Sequence, residues 1–453
     1  MALNGSNLRW QSCSLLAKYM LNQRRSHLDG TNAPFSSPAG AHGVETRLFE
    51  VILKPSKVVV ALFTASLLYA GEADALLSTL KQKTLQLKRE KNSADSGQLE
   101  YSWINPITVS YGYSRSDQFD RIQTNRSLSV GVDQPIFKSG GIWYAVKYAR
   151  ATRKVGDLSI EAERRTLIKQ VVATLFNFKK NAYQIEKQKL LIENDRIDIE
   201  RKKERFLSGD LDSGFLDQAI LKKNQDTMTL YTLQDSRAQL QMTFKNLSDL
   251  DPERVKLPRF SLMDKETFLK NNIDLARVRE EIVQKDYFNT MTWTRYMLTL
   301  SVQGNYVKPY ENTSVFGGSL PNALDPYYSY GFRISIPLDV TSYHTIQSTR
   351  ADYLRAKISF SDKRREADNS YVAALKRLDV IDRMIGLAKD DEKLYASLVE
   401  STKEQVDAGE MTVYDLQTME NSRMIRQLDQ KIFDLDKQLV LLDLYEKSYE
   451  AVQ

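Results

Sequence analysis

The sequence predicts an α+β membrane-protein fold in which long α-helical coiled-coil hairpins carry four β-strands, laid down as a tandem structural repeat. Three observations predict it. Ile136 to Asp251 and Leu338 to Gln453 are free of proline, hold helical spacing, and break once each at a glycine, Gly209 and Gly409. The breaks lie 200 residues apart, and a second landmark recurs at nearly that offset, Gln134-Pro135-Ile136-Phe137 against Ile336-Pro337-Leu338-Asp339. Ahead of each long helical stretch the apolar period changes to two, the signature of strands.

Taken in order, residues 1–52 carry Gly, Ser, Pro and His without periodicity and form an N-terminal extension. The expected translation start falls near Val51 or Leu53. Residues 53–73 have the layout of a signal peptide. Lys54 and Lys57 precede the apolar run Val58 to Ala70, which exits on small residues and is expected to be cut after Ala70 or Ala73. On that reading the sole cysteine, Cys13, leaves with the leader, and so do all the histidines except His344. Residues 1–70 hold seven Lys/Arg and three Asp/Glu, so their removal takes the net charge from +6 to +2. Basicity of that size is no argument for nucleic acid. A chain exported without cysteine has no disulfide framework and depends on packing and association.

Residues 74–260 are expected to form the first repeat. Asp74 to Lys91 predicts a helix with Leu76, Leu77, Leu80, Leu85 and Leu87 on one face, ended by a polar turn, Asn92 to Gly97. Ile107, Val109, Tyr111 and Tyr113 alternate with polar or small residues, as do Leu128, Val130 and Val132. Arg115 to Arg126 then predicts a long polar loop between two strands. Gln134-Pro135 closes the hairpin, and Gly140-Gly141 leads into the first long helix. The chain returns after Gly209 along Phe215 to Leu247.

Residues 261–453 repeat the plan. Asp264 to Arg295 predicts one helix, Leu298 to Gln303 and Tyr328 to Ile336 two strands, and Ser342 to Ala408 an arm on the order of 100 Å long. Tyr371, Leu375, Leu378, Ile381 and Ile385 before the glycine, and Leu428, Ile432, Leu435, Leu439 and Leu442 after it, are the expected seam.

With 27% charged residues and a mean hydropathy of −0.45, a bundle of transmembrane helices is excluded. The alternating strands match the membrane β-barrel pattern, with Trp103, Trp293, Tyr296, Tyr306, Tyr327 and Tyr328 near their ends as interfacial aromatics. Four strands do not close a barrel in lipid, and open edges there cost several kcal/mol per unpaired group. The strands are therefore expected to be shared between copies. Three copies give twelve strands, with the helices forming a tube beneath.

The turn Gly409-Glu410-Met411-Thr412-Val413-Tyr414-Asp415-Leu416 places a threonine three residues and an aspartate six residues after a glycine. In this, and in the run Gln134 to Gly141, the chain resembles the TolC family of outer-membrane efflux channels over nearly all of Ala73 to Gln453. The first copy has Phe215 where an aspartate is common, and the second has Ser342-Tyr343 in place of Gly-Gly. The resemblance implies a homotrimer with a twelve-stranded barrel in outer-membrane lipid and a helical tunnel in the periplasm. It implies that the turns at Gly209, Asp210, Gly409, Glu410 and Thr412 dock on a periplasmic adaptor coupled to an inner-membrane pump. Pro135, Gly140, Gly141 and Pro337 would mark the strand-to-helix exits. Asp415 would line the closed tip as part of a periplasmic gate. The family's further acid three residues on is Thr418 here, with Glu410 and Glu420 placed to supplement the charge.

No catalytic constellation appears. Behind the leader there is no cysteine and one histidine, and there is no phosphate loop or nucleophile elbow, so no enzyme, cofactor or metal is expected. Two functions remain at this point. One is the exit duct of a tripartite efflux or type I secretion system. The other is a structural coiled-coil outer-membrane protein that spans the periplasm without conducting.

Overall fold

The computed structural model describes residues 74–118, 121–312 and 324–449, all within one compact unit, 62–453. The expected extension 1–52 and signal segment 53–73 lie outside them. A 3-10 turn, Asp74–Leu76, leads to α1, Thr79–Glu100, whose N-cap Ser78 accepts a bond from Lys81 N. The expected turn at Asn92 to Gly97 is instead the last part of this helix. Its side chains are docked: Asn92 Nδ2 donates to Arg153 O at 2.9 Å and to Asp157 Oδ1 at 2.8 Å, and Ser96 is buried. Tertiary contacts of this kind outweigh a weak local propensity.

Strands β1, Thr108–Gln118, and β2, Arg121–Phe137, pair antiparallel from Thr108↔Gly131 to Gln118↔Arg121. The expected loop Arg115 to Arg126 is therefore mostly strand. Polar side chains argued for a loop, but the ladder is made by backbone groups and needs no apolar residue where both faces are wet. β2 also runs past Gln134-Pro135 to Phe137, with a bulge between Pro135 and Phe137. Strands β3, Thr299–Asn312, and β4, Tyr327–Ser335, complete one antiparallel sheet in the order β1-β2-β3-β4. β1 and β4 are its edges.

Directly opposed residues share a face. One face carries Val109, Tyr111 and Tyr113, then Leu128, Val130 and Val132, then Leu300, Val302 and Tyr306, then Tyr328, Tyr330, Phe332 and Ile334. The other carries mostly Ser, Thr, Gly, Asn and Gln, together with Asp133, Pro135, Val307, Pro309, Tyr327 and Arg333. Tyr327 falls on the polar face, opposite Val307, and so is not part of the apolar aromatic set.

From the sheet the chain enters α2, Gly141–Leu207, of 67 residues, and returns along α3, Ser213–Leu247, of 35. The expected helix 264–295 is two, α4, Lys265–Lys270, and α5, Ile273–Arg295. Asn272 breaks it by capping α5, its side chain accepting from Asp274 N and Leu275 N. The same residue bridges Ser448, so the C-terminal segment is tied down here. The second long pair is α6, Ser342–Asp407, of 66 residues, and α7, Val413–Lys447, of 35. At about 1.5 Å per residue the long helices reach roughly 100 Å and the return helices half that. The remaining length of α2 is covered by α1 and α5, and that of α6 by α5. Among the described residues no helix is long and apolar enough to cross a membrane.

The core lies midway along the helices. Ile168, Val171, Val172, Leu175 and Phe176 of α2 meet Phe244 of α3 and Leu435 and Leu442 of α7. Tyr371, Leu378 and Ile381 of α6 are buried in adjoining clusters with Leu444, Val440 and Leu441. Leu375, expected in that seam, is 37% exposed on a groove edge beside Phe260 and Asp379.

Candidate functional site

The two turns are the ends of the molecule farthest from the sheet. Gly209 and Gly409 adopt φ of 80° and 77°, which reverses the chain at the end of each long helix. The amides beyond them close back on the last helical turn, Asp210 N to Arg205 O at 2.9 Å and Glu410 N to Gln405 O at 2.8 Å. Each return helix then needs a cap. Asp212 caps α3 by accepting from Gly214 N at 3.0 Å. Thr412 and Asp415 cap α7 reciprocally: Asp415 N donates to Thr412 Oγ1, and Thr412 N donates to Asp415 Oδ2 at 3.0 Å. Phe215 stands at the equivalent position of α3, so the first turn lacks this second bond.

Asp415 is half-buried and does more than cap. The Thr412 hydroxyl donates to its Oδ2 at 2.7 Å, and Arg201 Nη2 of α2 lies 2.5 Å from its Oδ1. That second approach is an ion contact rather than an aligned hydrogen bond, since Nη2 has no hydrogen-bond partner. Donation from Thr412, helped by the Arg201 charge, holds the carboxyl below the usual carboxylate range against the opposing effect of burial. Thr418 is not brought into this group. Its hydroxyl donates to Tyr414 O of its own helix, and Glu410 and Glu420 are exposed.

Arg201 begins a polar seam between α2 and α7 that the sequence reading missed. Gln417 donates to Glu193 at 3.1 Å and Asn421 to Asn194 at 2.8 Å. Lys187 pairs with Asp429 and Lys180 with Asp436, each at 2.6 Å, and Lys169 reaches Asp443 at 2.8 Å. The α2 members 180, 187, 194 and 201 recur every seven residues, as do 415, 429, 436 and 443 allowing one skipped step. Base on one helix and acid on the other at a common heptad was the legible signal. A parallel stripe faces α3, where Asn181 donates to Leu233 O, Gln188 to Asp226 and Lys222 to Asp195. Buried polar groups at heptad positions fix register at some expense of stability. Chemically, such seams part into water more readily than an apolar seam.

At the other end, Gly140 caps α2 with φ 85°, and a Cβ on Gly141 would stand 2.8 Å from Thr294 Oγ1. Gly140 serves the turn, and Gly141 admits the end of α5. Pro135 lies in the ladder opposite Ser301. Pro337 follows β4 outside any helix or strand, after which Asp339 Oδ1 accepts from Thr341 N at 2.8 Å before α6 starts. His344 packs edge-on to Tyr343.

No protein-family model matches the sequence, and none of the curated proteins matches it. Solved structures do match. The Campylobacter jejuni CmeC outer membrane channel aligns with a TM-score of 0.66 at 16% identity, over 94% of this chain and 96% of that one. The outer membrane protein VceC of Vibrio cholerae aligns at 0.64 and 13% identity, over 81% and 93%. The open state of the Neisseria gonorrhoeae MtrE outer membrane channel aligns at 0.64 and 13%, over 83% and 87%. The single chain, long helical hairpins carrying four antiparallel strands, therefore has the fold of these outer-membrane channel proteins.

Proposed function

We propose that the chain is a TolC-family outer-membrane duct: three copies close a twelve-stranded barrel in the lipid, and their helices form a periplasmic tunnel to its mouth. One observation carries this reading. A four-stranded sheet with two open edges, one apolar aromatic face and one face of small polar residues stands on helices of about 100 Å. The apolar face suits lipid, the polar face suits water, and the edges need partners at several kcal/mol per group. The likeness to known channels supports the same reading.

The helices supply a second reason for association. α3 leaves Leu221, Met228, Tyr231 and Met242 exposed, and α6 leaves Val380, Met384, Leu387, Leu394 and Leu398 exposed. Both rows keep coiled-coil spacing and lie at matching distances from their turns, Leu221 level with Leu398 and Met242 level with Arg377. A neighbouring copy that lays its α6 antiparallel on α3 covers both. The two halves, 74–260 and 261–453, then act as quasi-equivalent staves from an old duplication.

In this duct Asp415 and Arg201 sit at the closable tip, and the turns at Gly209, Asp210, Gly409, Glu410 and Thr412 meet a periplasmic adaptor coupled to an inner-membrane pump. Thr418 stands one helical turn above Asp415 as the second gate position. The substrate passes from the pump to the exterior without chemistry. Mass measurement in mild detergent tests the assembly: a homotrimer is expected, and a stable folded monomer in the membrane contradicts it.

A further inference from the structure

The polar face of the sheet is almost free of charge. From Gln123 to the helix exits, its described residues are Ser, Thr, Gly, Asn, Gln, Pro135, Val307, Pro309 and Tyr327, with two charged exceptions, Asp133 on β2 and Arg333 on β4. The two exceptions meet. Gln303 of β3, directly opposite Asp133, donates through Nε2 to its Oδ2 at 2.7 Å, and Arg333 Nη1 lies 3.5 Å from the same oxygen. The triad thus crosses three strands near the sheet's helix end, Asp133 and Gln303 in one row and Arg333, opposite Ser301, reaching in diagonally from the next.

The row is held open and in place. Asn105 Nδ2 donates to the Asp133 carbonyl and Asn105 N donates to Gln134 Oε1 at 2.9 Å, fastening the end of β2 to the segment that follows α1. The neighbours on the same face are Gly131, Gly331, Asn305, Ser301, Ser335 and Pro135, so no long or aromatic side chain covers the pair. Asp133 and Arg333 retain 45% and 60% side-chain exposure and therefore act on whatever water or solute passes.

We propose that Asp133 and Arg333 form a charge-balanced collar around the base of the barrel lumen, which keeps this part of the duct indifferent to the sign of the solute. The proposal rests on the duct reading. In three copies the collar holds three acids and three bases at one level on an otherwise neutral wall. Balanced, the opposite charges nearly cancel beyond a few ångströms. Unbalanced by one substitution, the same level carries three like charges, and the wall acquires a field that favours counter-ions.

The test measures local potential without depending on the state of the tip. In a Cys13→Ser background, Asn305→Cys places a thiol on the exposed lumen face two residues from Gln303, about 7 Å along the strand. The trimer is treated in 0.1 M salt with a cationic and an anionic methanethiosulfonate of equal size, and the ratio of the two modification rates is taken. Asp133 lies across from Gln303 on the next strand, about 8 Å from the thiol, and one unit charge at that distance, screened over about 10 Å, changes the ratio roughly twofold. Asp133→Asn is expected to lower the cation-to-anion ratio by that factor, Arg333→Gln to raise it, and the double variant to return to the parental value. A second reporter, Ser329→Cys, opposite Asn305, guards against an effect of the first thiol itself. Unchanged ratios in both single variants, or shifts of the same sign, overturn the collar while leaving the duct intact. A folded trimer in which neither thiol reacts, although both react on unfolding, contradicts a water-filled barrel and the duct reading with it.

Discussion

Arg201 on α2 and Asp415 on α7 meet at 2.5 Å, joining the end of the first long helix to the start of the last return helix. Because Asp415 also completes the capping box with Thr412, one carboxylate performs a local and a tertiary task. Substitutions separate them. Asp415→Asn keeps a side-chain oxygen for the cap but loses the ion contact, and Arg201→Gln loses the contact alone. Both are expected to leave thermal stability nearly unchanged and to raise single-channel conductance, with Asp415→Asn also relieving block by divalent cations. Asp415→Ala also loses the half of the capping box that the carboxylate accepts, while Asp415 N still donates to Thr412, and is expected to cost about 0.5–1.5 kcal/mol. If the two conservative variants melt early and conduct as the parent does, Asp415 is a capping residue only.

The pH dependence follows from the same geometry. Thr412 and Arg201 hold the Asp415 carboxyl below its ordinary value. A group whose folded pKa is depressed contributes stability that is present above the unfolded pKa and lost as pH falls through the folded one. Conductance of the wild-type channel is therefore expected to stay low through mildly acidic pH and to rise only below the ordinary carboxylate range. In Asp415→Asn this acid-induced rise should be missing. An equal rise in the variant assigns it to other groups.

The pairing of α3 with a neighbour's α6 is open to cross-linking. Leu221 lies twelve residues past Gly209 and Leu398 eleven before Gly409, and both are exposed. Leu221→Cys and Leu398→Cys together, in the Cys13→Ser background, should give covalently linked trimers on oxidation, whereas either alone gives monomers in denaturing gels. A disulfide formed within one chain contradicts the arrangement.

At the turns, Gly409→Val forces a branched residue into φ 77°, where the space is open but the backbone is strained by about 1 kcal/mol or more. The trimer should survive and export should fall. Normal efflux with both Gly209 and Gly409 replaced places the adaptor contact elsewhere.

Much of this architecture was legible because its signals are local. Proline-free helical spacing, a glycine at each reversal and period-two strands are written in short windows, and the long helices end where Gly209 and Gly409 predict. What escaped depends on partners distant in sequence. Asn92 to Gly97 looks like a turn until Asn92 finds Arg153 and Asp157. Arg115 to Arg126 looks like a loop because polarity marks exposure, not the absence of a ladder. Asn272 looked like one more helical residue, and its side chain ends the helix by capping the next. Asp415 was visible as a motif residue, but Arg201 became its partner only when α2 and α7 were laid side by side. The heptad rows at 180, 187 and 201 and at 415, 429 and 436 were in the sequence, although nothing in either row alone says that the two helices are neighbours.

The central claim is that the assembled chain conducts, and the most direct measurement is single-channel recording of purified trimers in a planar lipid bilayer. Discrete, stable ionic currents are expected from wild-type protein, increased by Arg201→Gln. Folded trimers that insert into the bilayer and pass no current, in the wild type and in Arg201→Gln alike, contradict the duct and leave a coiled-coil protein that only spans the periplasm.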